Sequence, residues 1–161
     1  MATGWEFNKI FTFNGSAYTD VTLEAQSPAG TAFSILASTD DYFYLGHSEK
    51  FDMAVFDVDT TGTLGTLTWQ YYSTTASEWV TFVPGSGRFQ VDPDDSEGSQ
   101  YGFSTDGIEL FPINLLSGWG VTTVNTISNY WIRVSTASVS VAPTIKPVSY
   151  THLTLPTILL V

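Results

Sequence analysis

Short runs of β-branched and aromatic residues, set apart by turn formers, recur along this chain, and no stretch keeps an apolar period near 3.6 residues beyond a turn or two. That pattern excludes a helical body and demands sheets. Its sharpest instance is Tyr130-Trp131-Ile132-Arg133-Val134. Alternate residues of a strand face opposite ways, so Tyr130, Ile132 and Val134 form a core side, while Trp131, Arg133 and Ser135 form an amphipathic outer side. Partners for this strand are at hand in Leu67–Tyr72 and Glu78–Val83.

Further strands are expected at Trp5–Phe13, weakly at Thr19–Ala25, then at Phe33–Leu36, Tyr42–Gly46 and Phe51–Val58. The last is apolar on both parities and belongs in a buried, interior position. Pro84-Gly85-Ser86-Gly87 reads as a loop, and Tyr101–Phe103 with Gly107–Pro112 reads as a hairpin across Ser104-Thr105-Asp106. Residues 113–120 form a connection with room for one helical turn, anchored by Trp119, and Ala142–Pro147 resembles an edge piece that tolerates proline. Roughly nine to eleven short strands at about 8–12-residue spacing predict an all-β fold, a two-sheet antiparallel β-sandwich of jelly-roll-like kind with little or no helix. Residues 1–147 are expected to make a single domain. A globule of this size buries roughly 68–70% of its unfolded surface, enough for a core without staples.

Charge and composition narrow the function. Sixteen acids against five Lys and Arg give a net charge of −11, which repels a phosphate backbone, so nucleic acid is not an expected partner. With no cysteine, disulfides and thiolate metal sites are excluded. No apolar run approaches the roughly 20 residues of a membrane span. The start, Met1-Ala2-Thr3-Gly4-Trp5-Glu6, lacks the regions of a signal peptide, so no membrane role is expected and synthesis in a cytoplasm is.

The candidate chemistry is thin. A general acid or base is most often histidine, and ahead of residue 148 only His47 is present, placed by Gly46-His47-Ser48-Glu49 in a solvent turn. No Gly-x-Ser-x-Gly elbow accompanies it. Asp92, Asp94, Asp95 and Glu97 supply hard oxygen ligands of the kind calcium takes, but their spacing departs from a calcium loop. Glu97 stands where the glycine belongs and Phe103 where the bidentate glutamate belongs, so a solvated loop is expected. The carboxylate pairs Asp52 with Asp57 and Glu78 with Glu109 offer the raw material of glycoside hydrolysis, yet they read better as charges that keep strand edges soluble. Arg133 reads as half of a cross-strand ion pair rather than as an anion site. Trp79, Trp119, Tyr72 and Trp131 are candidate stacking residues for a sugar, against the competing expectation that they fill the core. No catalytic residue and no cofactor emerges.

The succession Phe51-Asp52, Phe56-Asp57, Trp69-Gln70-Tyr71-Tyr72, Glu78-Trp79, Gly107-Ile108, Phe111, Trp119, Val124-Asn125, Ile127, Tyr130-Trp131-Ile132-Arg133-Val134 and Ala142-Pro143-Thr144-Ile145 resembles a β-sandwich module of tailed-bacteriophage virion structural proteins, over about residues 42–147. The acidic insert Asp92–Gln100 departs from that pattern. The resemblance implies a non-enzymatic component of a capsid, tail or baseplate, assembled in a host cytoplasm, with other virion proteins or its own copies as partners. The alternative is a carbohydrate-binding module of an adhesin or larger enzyme, with a glycan as partner. Separately, Val148–Thr157 resembles the conceptual translation of a transposase adapter used in shotgun sequencing, so residues 148–161 are expected to be a non-native tail on a metagenomic sequence.

Overall fold

The computed structural model describes residues 6–27, 30–88, 103–104 and 106–149 of the 161. In chain order its strands are β1 (Lys9–Phe13), β2 (Tyr18–Asp20), β3 (Phe33–Ser34), β4 (Tyr42–His47), β5 (Met53–Thr60), β6 (Thr63–Leu64) and β7 (Leu67–Ser73). They continue as β8 (Glu78–Phe82), β9 (Gly85–Arg88), β10 (Gly107–Leu110), β11 (Val121–Val124), β12 (Ile127–Thr136), β13 (Val139–Val141) and β14 (Thr144–Ser149). Among the described residues helix is confined to α1 (Thr22–Gln26) and a 3-10 turn at Ile113–Leu115, the latter inside the connection where a helical turn was expected.

Two antiparallel sheets face each other. The larger runs β2-β1-β4-β12-β7-β8, with β11 also paired to β12, and the smaller runs β3-β14-β5-β10-β9, while β6 and β13 form a short ribbon. Consecutive strands repeatedly change layer, from β4 to β5, from β8 to β9 and through β13 from β12 to β14, the jelly-roll-like habit expected of the chain. The organising strand is β12. It lies inside the larger sheet, pairing Val134 with Phe43 on one side and with Trp69 on the other.

The core fills the gap between the layers. Ile132, Val134, Phe43, Leu45 and Trp69 from the larger sheet meet Ala54, Phe56 and Ile145 from the smaller. Burying each large apolar side chain stabilises the fold by roughly 1.5–3 kcal/mol, so this layer supplies most of the driving force. As its doubly apolar sequence required, β5 is interior, between β14 and β10.

Four local expectations are corrected. Thr19–Ala25 is not one strand: β2 ends at Asp20 and the chain turns into α1, burying Val21 and Ala25 four residues apart and leaving Leu23 exposed. The Thr22 hydroxyl holds that turn, accepting from the Ile10 N–H at 2.9 Å and donating to Asp20 Oδ1 at 2.5 Å. Gly85–Arg88 is a strand rather than a loop, and it pairs with β10; of the expected strand Tyr101–Phe103 only Phe103 lies within the described residues. Phe103 instead sits buried in a left-handed conformation (φ 56°) against Phe56, ring centroids 5.1 Å apart. Finally, β14 is an edge for only part of its length, because β3 pairs with Thr144 and Ile145. It also continues past Pro147, with Val148 opposite Phe56 and Ser149 opposite Val55. Pro147 falls within the register shift between Ile145 and Val148, where a missing N–H costs no ladder bond.

Candidate functional site

The face of the larger sheet that points away from the core carries its own aromatic array. Across the strands Phe11 opposes Tyr44, Tyr44 opposes Arg133, and Arg133 opposes Gln70. Flanking this row, Trp131 opposes Gly46, Tyr72 opposes Trp79, and Phe13 opposes both Tyr42 and Tyr18. Facing side chains in such pairs lie within contact range, so each large ring covers its neighbour.

Trp131 is fully buried here although it points away from the sandwich core. Its ring stacks on Phe11 with centroids 5.5 Å apart and meets Tyr44 edge to face at 6.3 Å. Its Nε1 donates to the carbonyls of Thr122 at 3.1 Å and Ile127 at 3.3 Å, so the β11–β12 hairpin closes over it. The turn of that hairpin has positive φ at both Asn125 (44°) and Thr126 (70°), the backbone of a type I′ turn. Gly46 makes the arrangement fit, because a Cβ there would run into the indole.

Arg133 holds the centre of the face. Its guanidinium carbon lies 4.2 Å from the Trp79 ring centroid and 4.3 Å from that of Tyr42. Nε donates to Gln70 Oε1 at 2.9 Å and Nη1 donates to the Tyr44 hydroxyl at 3.3 Å. Among the described residues the expected cross-strand ion pair is absent: Arg133 meets no carboxylate there, and the ion pairs include Lys9 with Asp20 and Lys146 with Asp59. Burial pushes the Tyr44 phenol up to about 12, although Arg133 pulls it the other way, so the hydroxyl stays neutral and does not balance the cation.

Of the candidate stacking residues, Trp119 and Trp131 are interior. Trp119 lies in the core edge-on to Phe51 at 5.2 Å and Tyr130 at 5.8 Å, with its Nε1 donating to the Trp131 carbonyl. Protein covers both indoles, so neither is a platform. Tyr72 and Trp79 remain, half-buried and edge to face at 5.7 Å.

The remaining titratable groups do not converge. His47 is buried at the end of β4 rather than in a solvent turn, with its Nδ1 accepting the Glu49 N–H at 3.0 Å. Glu78 is exposed on β8, whereas Glu109 is fully buried on β10 of the other sheet, between Ala54 and Ser86 in register. Among the described residues neither Glu109 carboxyl oxygen has a hydrogen-bond partner, and burial pushes the group up to about 8. Far from keeping an edge soluble, it is a neutral acid at pH 7. Asp92, Asp94, Asp95 and Glu97 lie outside the described residues, among which no group of three or more His, Asp or Glu is arranged to hold a metal. No helix among the described residues is long and apolar enough to cross a membrane. No protein-family model matches the chain, and no curated protein matches it. The outer face presents a cation, an amide, a hydroxyl and ring surfaces, and no acid–base pair converges there among the described residues.

Proposed function

We propose that this chain is a non-enzymatic structural component of a virion, a capsid decoration, tail or baseplate protein that works by protein–protein assembly. The observation that carries the reading is a flank where, among the described residues, both sheets end, β8 closing the larger and β9 the smaller, joined through Val83 and Pro84. An open strand edge presents unpaired N–H and C=O groups to a neighbour's edge. At this flank Val83 is 71% exposed and Leu110, opposite Gly85, is 41% exposed, so an added strand would also bury apolar surface. Sedimentation of the purified chain at rising concentration should reveal self-association that Val83→Lys weakens. Strictly monomeric behaviour, together with neighbouring genes unrelated to portal, capsid or tail proteins, would remove the reading.

A second reading, a carbohydrate-binding module, is favoured by the half-exposed pair Tyr72 and Trp79 beside an Arg133 that has no counter-charge among the described residues. It uses a face of the sandwich rather than an edge.

A further inference from the structure

We propose that Arg133 anchors a carboxylate-binding site on the outer face of the larger sheet, and that its ligand is a glycan bearing an isolated sugar carboxylate of the uronic or sialic acid type. The inference rests on the carbohydrate-binding reading and names the ligand class that reading leaves open.

Arginine presents five N–H donors in one plane. Nε serves Gln70 and one Nη1 hydrogen serves Tyr44, which leaves the second Nη1 hydrogen and both Nη2 hydrogens without a protein acceptor among the described residues. Trp79 covers one side of the guanidinium and Tyr42 also lies within 4.3 Å of it, so a partner must approach in the plane. A parallel pair of N–H donors approached edge-on matches the two oxygens of a carboxylate.

The surroundings strengthen such a pair. Rings packed on the cation exclude water from it, and an ion pair gains as the local dielectric falls. A side-chain cation held half-buried with no carboxylate partner among the described residues, in a chain that carries sixteen acids against five Lys and Arg, is an incomplete arrangement. Tyr72 and Trp79 then supply ring surface beside the cation for the C–H face of a pyranose. The chain's charge of −11 sets the other limit, since a densely charged polyanion would be repelled before it reached the site.

The test is calorimetric titration of the full chain with sialyllactose, its methyl ester, lactose, a glucuronate-terminated disaccharide and an acetylated dipeptide with a free C-terminus. At least one sugar acid should bind about tenfold more tightly than its neutral counterpart, and added salt should weaken it. Arg133→Lys should lose about tenfold, because an ammonium lacks the fork, and Arg133→Met should bring acid and ester to the same affinity. The acid-against-ester comparison uses the unaltered protein and stays decisive if the variants do not fold. Equal binding of acid and ester overturns the inference and leaves the carbohydrate reading standing. Binding of the dipeptide alone overturns the ligand class, and no binding by any sugar overturns both.

Discussion

The two faces of the larger sheet are both packed with aromatic rings, but they are packed differently. On the inner face Trp69 and Phe43 pack against Phe56 of the smaller sheet, and among the described residues the Trp69 indole N–H and both Glu109 carboxyl oxygens in this layer go without a partner, although the Trp119 N–H reaches the Trp131 carbonyl. On the outer face Trp131, Phe11 and Tyr44 have no second sheet over them, yet the Trp131 N–H reaches two carbonyls and Arg133 reaches Gln70 and Tyr44. A layer covered by another layer excludes water wholesale and tolerates little polarity. A layer that covers itself needs polar links to hold its rings in place, and it leaves a half-exposed rim where a ligand can enter.

The strongest challenge to this contrast is truncation at matched depth. Phe43→Ala and Trp131→Ala each remove a ring with no exposure, and each should cost about 3–5 kcal/mol in urea unfolding. A loss below about 1 kcal/mol for Trp131→Ala would reduce the outer cluster to surface decoration. Next comes the unmatched acid. Because the folded pKa of Glu109 lies above its unfolded value, the native state binds the extra proton, and stability should fall as pH rises from about 4.5 to about 8. The full shift corresponds to a drop of about 4–5 kcal/mol, and Glu109→Gln should flatten that part of the profile. A smaller effect tests how closely Trp131 is seated: Gly46→Ala should cost about 1–3 kcal/mol by thermal unfolding, since the new methyl must displace the indole. Smallest and opposite in sign, Thr126→Gly should stabilise by about 1 kcal/mol, because a β-branched residue is strained at φ 70° and glycine is not.

Much of the fold was legible. Phe51–Val58 announces an interior strand because it is apolar on both parities, and Tyr130–Val134 does so because its bulky residues alternate toward one face. Glycine-rich Gly85–Arg88 carries no side-chain pattern, so only its register with β10 makes it a strand. The turn into α1 did leave a signal, Val21 and Ala25 four residues apart, which the alternation of Val21 with Leu23 masks over so short a span. In the candidate site, Tyr72 and Trp79 were named from sequence, whereas Tyr42, Tyr44 and Gln70 join Arg133 only through strands far apart in the chain.

By itself the sequence determined that this chain forms stacked antiparallel sheets and that Tyr130, Ile132 and Val134 of β12 face the core, because both follow from local geometry and the distribution of apolar side chains. Only the tertiary structure decided that the outer parity is buried as well at Trp131, that Glu109 is sealed in, and that Arg133 rests among rings rather than beside an acid. Those outcomes depend on which strands become neighbours, and neighbours are chosen by the packing of the whole sandwich rather than by any one strand's own residues.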